Sequence, residues 1–302
     1  MRRQGGFVLV NALIIVAALA AAAIFMLSRA ESSRVRGAAA LQAAQLELYL
    51  DGFEALAKVV LQQGSPSGGK VAERKVPPVP LDRGQVTGQI RDLQGRFNLN
   101  LLADPADILA RAAFERLALW RGLSSQRVAE IAAFVSPDGP ADAQLYAHGD
   151  DPMRPVGGAI LMVEQLRQIP HLTAKDYNRL TPYVTVLPDQ APINVNTVSK
   201  EVLASFFPKV EAAQFGGLVQ GARRQPFQSL EAFHIELLKI VSPEAVEALP
   251  PVIFGVESSW FEVEIIAELE GRVAKRRVVI NRLSLSQQPV VAYRLDNWNY
   301  GG

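Results

Sequence analysis

Apolar positions are concentrated at the start of the chain, where residues 7–27 read FVLVNALIIVAALAAAAIFML. This run of 21 residues carries no charge, and Asn11 is its single strongly polar side chain. As a helix it would span about 30 Å, the thickness of the hydrocarbon core of a bilayer. The pattern therefore predicts a transmembrane helix over residues 7–27.

The helical pattern continues beyond this run. Residues 38–61 contain one helix breaker, Gly52, and repeat apolar side chains at helical spacing. These are Leu41, Leu48, Phe53, Leu56 and Val60. We expect one helix over residues 7–61, with its first half in lipid and its second half amphipathic. A secretory signal peptide would have a shorter apolar run and a break after it, so the continuation argues against one; an ordinary signal anchor stays open.

Alternation of apolar and polar positions marks a second kind of structure. Residues 85–92 predict a strand, and residues 260–267 and 275–283 predict a hairpin around Glu270 and Gly271. Residues 290–295 predict a further short strand, whereas the Gly- and Pro-rich residues 64–84 predict a loop. The stretch between the strands reads as short helices. The whole pattern indicates an α+β protein: a long helix, an antiparallel sheet packed on it, and a helical region inserted into the sheet.

The helical region contains an internal echo. Residues 97–100 read FNLN and residues 193–196 read INVN, and each motif leads into a predicted helix. Because Asn and Thr side chains accept hydrogen bonds from the first turn of a helix, we expect Asp104–Pro105 to open one helix and Asn196 or Thr197 to cap the other. Four residues are a short repeat, so the echo alone leaves duplication open.

Composition excludes several classes of function. The 302 residues include 31 basic and 30 acidic side chains, and this balance gives no electrostatic basis for wrapping nucleic acid. There is no cysteine, which removes disulfides, thiolate metal sites and cysteine nucleophiles. The three histidines are far apart, and no Ser-His-Asp set, P-loop or zinc motif is present. We therefore expect a protein that is not an enzyme.

The N-terminus resembles that of type IV prepilins, which have a short basic leader ending in Gly, then Phe, then an apolar helix. This resemblance implies cleavage by a prepilin peptidase after Gly6 and methylation of Phe7. Prepilins usually carry Glu at the fifth mature position, and here that position is Asn11. The subunit that typically lacks this Glu is the large minor pseudopilin of type II secretion. That subunit is called GspK. The FNLN and INVN stretches, in the order found here, are further landmarks that the chain shares with the GspK family.

The resemblance implies a pseudopilin fold with a large inserted helical domain made of two SAM-like, helix-hairpin-helix-like halves. The expected divisions are a leader at 1–6, a transmembrane part at 7–27, a periplasmic helix at 28–62, a pseudopilin core at 63–97 and 253–302, and an insertion at 98–252, with halves at 98–190 and 191–252.

The implied function is that of a minor pseudopilin at the tip of the type II secretion pseudopilus, helping to initiate assembly and the export of folded proteins. It would be a single-pass protein of the Gram-negative inner membrane, with most of its chain in the periplasm. Its implied partners are the I- and J-type minor pseudopilins, the major pseudopilin, the prepilin peptidase, and either secreted cargo or the secretin, but no nucleic acid.

The same resemblance implies a possible site for calcium. The family pattern implies a carboxylate-rich loop, and residues 134–156 correspond to it, with Asp138, Asp142, Asp150 and Asp151 as candidate ligands. Three family positions are lost here: Ser136 replaces an Asp, the Glu is missing, and the terminal Asn is replaced near Gly157 or Gly158. Calcium takes six to eight oxygen ligands, so a solvated acidic loop is the competing interpretation. No other cofactor is expected.

A membrane-anchored DNA receptor of the competence type is the alternative function, because helix-hairpin-helix modules often bind DNA. Such binding needs a Gly-x-Gly hairpin whose N–H groups form a nest for phosphate. The hairpin position here reads Phe207–Pro208–Lys209–Val210–Glu211, without glycine and with an added carboxylate. Arg223 and Arg224 nearby are more typical of a solvated edge.

Overall fold

The fold is described from a computed structural model, which covers residues 5–63, 73–147, 155, 157–188, 191–283 and 287–299. Its longest element is helix α1, Gly5–Gln62. The predicted continuous helix is confirmed, and Gly52 does not break it: the chain stays helical on both sides. The structure also places a long N-terminal apolar helix, an antiparallel sheet and a helical domain in one chain, as the sequence predicts.

In the described residues, nine strands and seven further α-helices follow α1. The strands are β1 Glu73–Leu81, β2 Gly84–Asp92, β3 Phe97–Asn98, β4 Val184–Thr185, β5 Ile193–Asn194, β6 Phe254–Gly255, β7 Trp260–Leu269, β8 Arg272–Asn281 and β9 Val290–Asn299. The helices are α2 Ile108–Trp120, α3 Ser125–Val135, α4 Ala174–Leu180, α5 Lys200–Ser205, α6 Gly216–Arg224, α7 Leu230–Leu237 and α8 Pro243–Glu247. Short 3-10 turns lie between the helices of the insertion.

The main sheet has five antiparallel strands in the order β1-β2-β7-β8-β9. The predicted hairpin is confirmed: Glu270 has φ +51° and Gly271 has φ +82°, the left-handed pair that a tight two-residue hairpin turn requires. The prediction of a loop over residues 64–84 is wrong for its second half, because β1 pairs with β2. Pro77 and Pro78 fit this strand since it lies at the sheet edge and its register shifts between Val76 and Val79.

Helix α1 packs on the sheet through one face of its second half. The side chains buried there are Leu46, Leu50, Phe53, Ala57 and Leu61. They form a core with Val86, Val263 and Ile265 of the sheet. A side chain at Gly88 would collide with the Phe53 ring, so glycine is what allows the helix to approach β2 closely. The apolar face expected from the sequence is therefore largely wrong: of its members only Phe53 is fully buried, whereas Leu41, Leu48 and Leu56 are exposed.

The helical insertion leaves the sheet after β2 and returns at β7, and these two strands are neighbours. Asp92 pairs with Phe261 in the sheet, and the N–H of Leu93 donates to the carbonyl of Trp260 at 3.1 Å. The insertion has its own apolar core, centred on Phe97, Phe114, Phe207 and Phe233. The predicted domain limits at residues 98 and 252 stay predictions, but the strands that bound the insertion end at Asp92 and begin at Trp260.

Candidate functional site: an exposed apolar helix and its anchorage

The first half of α1 contacts no other part of the described chain. Its most apolar 18-residue window has a mean hydropathy of 2.6 and none of it is buried. Large apolar side chains along it are half to three-quarters exposed, among them Leu13, Leu19, Phe25 and Leu27. A surface this apolar is normally covered by lipid or by another protein. Within the described residues, α1 is the one helix long and apolar enough to cross a membrane.

The predicted processing residues lie at the start of this helix. Gly6 and Phe7 are in its first turn, but the Phe7 side chain and residues 1–4 fall outside the described part of the structure. Asn11 is exposed on the helix, one turn beyond Phe7. It offers an amide where the resemblance to prepilins led us to expect a carboxylate, so it can form hydrogen bonds there but adds no charge.

The second half of α1 has two apolar faces, one buried and one open. Leu41 is 75% exposed and Leu48 is 66% exposed, although both follow the helical spacing of a packing face. Leu56 and Val59 extend the exposed set toward the end of the helix, at 46% and 47%. We name these four residues the outer stripe. It is separated from the apolar residues 9–27 by a polar segment that carries Arg29, Glu31, Arg34 and Arg36.

An ion cluster built around the buried Glu54 and Arg276 holds α1 to the far strands of the sheet. Arg294 of β9 donates to both carboxylate oxygens of Glu54, at 2.7 and 2.6 Å, and Lys58 lies 2.9 Å from the same carboxylate. Arg276 of β8, itself buried, bridges Asp51 of the helix and Asp296 of β9. Burial raises the pKa of Glu54, but the hydrogen bonds from Arg294 and Lys58 outweigh it and hold that pKa at about 2.

A polar network lies where the sheet meets the insertion. Asp92 is buried, and its Oδ1 accepts the N–H of Gln94 at 2.8 Å. Its Oδ2 accepts hydrogen bonds from Ser258 at 2.8 Å, from Asn194 at 3.3 Å and from the Thr197 hydroxyl. Desolvation raises the pKa of Asp92, and these donors oppose the rise. The network ties the two ends of the insertion to one carboxylate.

The FNLN and INVN motifs adopt the same local structure. Asn98 and Asn194 each end a two-residue strand, and each side-chain oxygen accepts the N–H two residues ahead, from Asn100 and Asn196. β3 pairs in parallel with β4, and β5 in parallel with β6. The echo seen in the sequence is therefore confirmed as a repeated local geometry.

The second Asn of each motif joins two distant segments. Asn100 donates to the carbonyls of Ile160 and Leu187, both at 2.9 Å, and accepts the N–H of Ile160 at 2.8 Å. Asn196 donates to the carbonyls of Phe227 and Val256, at 3.0 and 2.9 Å, and accepts the N–H of Phe227 at 2.8 Å. Each amide uses its donors and its acceptor on backbone groups of segments far away in the sequence.

The expected helix caps are wrong in both copies. Ser199 caps α5 by accepting the N–H of Val202 at 3.2 Å, and Asp107 caps α2 by accepting the N–H of Ala110 at 2.8 Å. Asn196 and Thr197 are instead engaged in the contacts above. Asp104 caps a turn by accepting the N–H of Ala106. Ser, Asp and Asn suit several positions near a helix start, so composition alone did not single out the cap.

The calcium candidates are only partly placed. Asp150 and Asp151 lie outside the described residues. Asp142 accepts the N–H of Gln144 at 3.2 Å, as a turn residue does. The loop that carries Asp138 is closed by Ser136, whose carbonyl accepts the N–H groups of Gly139 and Gly158. Among the described residues no three His, Asp or Glu side chains are grouped to hold a metal ion. The two described carboxylates alone do not satisfy calcium, and the site stays a prediction.

The hairpin expected to distinguish a DNA receptor lies between α5 and α6. Phe207 is buried there against Phe215, at 5.5 Å between ring centroids. The stretch contains no glycine, and the glycines that have positive φ are elsewhere in the described chain. Arg223 and Arg224 are exposed at the end of α6. The geometry is that of a packed helical hairpin with a solvated basic edge.

Comparison with known proteins shows that the chain is similar to a component of the type II secretion system. A model of the type II secretion system protein K family matches residues 95–189. The type II secretion system protein K of Pseudomonas aeruginosa is 28% identical over 100% of this chain and 95% of its own length. The protein K of Aeromonas hydrophila is 27% identical over 93% of this chain and 94% of its own length. Over nearly its whole length, the chain is thus similar to type II secretion system protein K.

The solved structures show the same fold. A chain in the crystal structure of the GspK-GspI-GspJ complex from enterotoxigenic Escherichia coli aligns with a TM-score of 0.72 and 20% identity. The match covers 87% of this chain and 100% of that chain. The relatives named in these comparisons are secretion-system proteins, and they give no support to the DNA-receptor alternative.

Several residues that anchor α1 were not identified from the sequence. Glu54 carried a usable signal, because it falls on the same helical face as Leu50, Ala57 and Leu61 and a carboxylate on a buried face requires a partner. The sequence around its partner Arg294 gave no indication of this contact, because the two residues are 240 positions apart. Asp92 appeared only as the end of a strand. Its role depends on three donors that only the fold brings together.

Proposed function

We propose that the chain is a minor pseudopilin at the tip of a type II secretion pseudopilus, where it helps to start assembly and the export of folded proteins. It would be a single-pass inner-membrane protein with most of the chain in the periplasm. The observation that carries the proposal is a membrane-length apolar helix, fully exposed, that continues without a break into the core of a pseudopilin-like sheet. The role is one of assembly and includes no catalytic step.

The position of the insertion supports a place at the tip. Arg282 donates to the carbonyl of Leu61, at the end of α1, and to the carbonyl of Ser258, where the insertion returns to the sheet. The turn between β7 and β8 lies at the other end, where Gln42 donates to Glu270. The helical domain is therefore attached at the end of α1 that is farthest from the apolar half. A bulky domain at that end would leave no room for a further subunit above it.

The lack of charge at Asn11 supports the same place. In the prepilin family the fifth mature residue is an acid that pairs with the cationic terminus of a neighbouring subunit. A carboxylate without such a neighbour would be costly in lipid, and an amide avoids this cost. A subunit with no partner amine beyond it gains from Asn at this position.

Processing and partners complete the proposal. The prepilin peptidase would cleave after Gly6, and Phe7 would become the methylated first residue. The apolar surfaces formed by residues 9–27 and by the outer stripe would pack against helices of the I- and J-type minor pseudopilins and of the major pseudopilin. The relative from enterotoxigenic Escherichia coli was solved in a complex with I and J subunits, which supports these as partners. The periplasmic part of the chain would contact secreted cargo or the secretin.

Co-purification tests the proposal. The tagged full-length chain, extracted from membranes in mild detergent, should bring with it the I- and J-type minor pseudopilins. Leu48→Glu, in the outer stripe, should reduce their recovery, whereas Ile235→Glu, an exposed apolar site on α7, should leave it unchanged. Recovery of no pilin-like protein would overturn the proposal.

Calcium binding by the loop of Asp138, Asp142, Asp150 and Asp151 would add a metal site to this role. Calorimetric titration of the metal-free chain with calcium tests it directly. Binding that disappears in Asp142→Asn and Asp151→Asn would support the site, and a flat titration would reject it.

A further inference from the structure

The segment of α1 that follows the apolar run is basic. Residues 28–46 carry three arginines, Arg29, Arg34 and Arg36, and a single acid, Glu31. All four side chains are exposed on the helix. The segment therefore presents an excess of positive charge that is open to a partner.

The arginines lie on two different sides of the helix. Arg34 lies 3.4 Å from Glu31, so the single acid of the segment is engaged there. Arg29 and Arg36 are seven positions apart and share another side of the helix, with Ser33 between them. Because Ser33 is small, it leaves room for a ligand between the two guanidinium groups. The net positive charge of the segment is thus concentrated on the side of Arg29 and Arg36.

The same side of the helix is apolar below Arg29. Phe25 and Ala22 precede Arg29 by four and seven positions and continue its face into the apolar run. Phe25 is 67% exposed, and Ala22 is exposed as well. One continuous face therefore changes from apolar to basic at the point where a membrane-spanning helix would leave the hydrocarbon.

The heights of the two arginines match the head-group layer of a bilayer. Arg29 lies about 3 Å beyond Leu27 along the helix axis and Arg36 about 14 Å beyond it, whereas the head-group layer on each side is roughly 5–7 Å thick. Helical side chains tilt toward the N-terminus of their helix, which here is toward the membrane. The long side chain of Arg36 therefore leans back toward the layer in which Arg29 lies.

We propose that the face formed by Arg29, Ser33 and Arg36 binds the head-group phosphates of anionic phospholipids in the leaflet where α1 leaves the membrane. The guanidinium fork matches the geometry of a phosphate group. The acyl chains of the bound lipid lie against Phe25 and Ala22. Such binding fixes the depth of α1 before the helix joins a filament. The inference rests on α1 crossing a membrane, as proposed above.

Native mass spectrometry of the full-length chain in mild detergent tests the inference. Phosphatidylglycerol and phosphatidylcholine are added in equal amounts. Both lipids have a phosphate group, but only phosphatidylglycerol has a net negative charge, so the ratio of the two bound lipids measures recognition of an anionic head group. We expect phosphatidylglycerol to predominate and the ratio to fall as salt is added, because salt screens exposed charges. Equal binding of the two lipids would overturn the proposal.

Substitutions on the two sides of the helix locate the binding face. Arg36→Gln should lower the ratio about fivefold, the loss expected for one basic side chain at an anionic membrane surface. Arg34→Gln removes the same charge on the side where Glu31 is engaged, and should lower the ratio clearly less. Arg223→Gln, on the exposed end of α6, should leave it unchanged. An unchanged ratio in Arg36→Gln, or equal losses in Arg34→Gln and Arg36→Gln, would refute the assignment to this face.

A membrane wash separates this inference from the proposed function. Alkaline carbonate should leave the full-length chain in the membrane fraction. A chain that is washed off would overturn both the membrane crossing and the lipid site. A chain that is retained and brings down the I- and J-type subunits, but binds the two lipids equally, would overturn the lipid site alone.

Discussion

Arg294 of the last strand holds Glu54 of the long helix by two hydrogen bonds, at 2.7 and 2.6 Å. The buried Glu54 carboxylate also lies 3.8 Å from the buried guanidinium of Arg276. Its removal therefore leaves Arg276 without part of its counter-charge. We expect Glu54→Gln to lower the free energy of unfolding by about 2 kcal/mol. This is less than the roughly 3–5 kcal/mol for breaking a fully buried pair, since Arg294 and Lys58 reach solvent. Urea unfolding measures it, and Glu47→Gln, exposed on the same helix, is the control.

The same residue gives a dependence on pH. The pKa of Glu54 falls from 4.5 to about 2 in the folded protein, so its contribution is fully present above pH 4.5. It should disappear as the pH falls from 4.5 toward 2, because the unfolded chain then binds the proton more readily. The difference in the free energy of unfolding between the unmodified chain and Glu54→Gln should therefore fall toward zero between pH 4.5 and pH 2. A gap of constant size from pH 6 to pH 3 would contradict the assignment.

Asp92 should behave in the opposite sense. Burial raises its pKa above the usual 3.8, so its contribution is fully present below pH 3.8 and is lost as the pH rises through the folded value. Asp92→Asn removes this titration. We expect the variant to be least stable, relative to the unmodified chain, at pH 3 and to recover part of the difference by pH 7. Parallel stability curves for the two proteins would show that Asp92 does not titrate as described.

Asn196 is expected to be the most sensitive neutral side chain of the insertion. Asn196→Ala removes three hydrogen bonds to Phe227 and Val256 and leaves backbone groups without partners, at a cost of about 3 kcal/mol. Thermal unfolding measures the loss. Asn178→Ala, at an exposed position of α4, should change the melting temperature little. Equal melting temperatures for the two variants would exclude a clamping role.

The N-terminus of the mature protein can be read directly. If Gly6 is the cleavage point, mass spectrometry of protein purified from membranes should find methylated Phe7 as the first residue. An intact Met1, or a cut near Ala30, would be incompatible with prepilin processing.

Asn11→Glu tests the role of the missing charge. In a tip subunit the added carboxylate has no amine to pair with, so we expect assembly to be unchanged or mildly reduced, and never improved. Deletion of residues 98–250 should impair it more. Secretion of a reporter enzyme, normalised to the amount of the pseudopilin, measures both. An Asn11→Glu variant that secretes better than the unmodified chain would place the subunit inside the filament.

The sequence predicted those elements whose pattern is local. The run from Phe7 to Leu27, the Glu270–Gly271 turn and the alternation of β7 depend only on neighbouring residues, and all three are found in the structure. The strand β1 was missed because Pro77 and Pro78 suit a loop equally well, and only pairing with β2 distinguishes the two. The buried face of α1 was misassigned because the helix has two apolar stripes, and the sheet selects one of them.

The site was less predictable than the fold. The Asn pairs of the two motifs were recognised, but their role was not, because the backbone groups that they bind come from residues 160, 187, 227 and 256.

The meeting of Leu93 with Trp260 has a consequence for how the chain folds. In the sheet, β2 and β7 are an ordinary antiparallel pair whose connecting loop happens to be an entire domain. Closing so long a loop from a random coil is slow and entropically costly. A helical domain that folds first, through its own local contacts, brings the two strand ends together and converts a distant pairing into a near one. The insertion would thus act as a template for the sheet, and faults in its core would appear first as a slow or failed assembly of the strands that flank it.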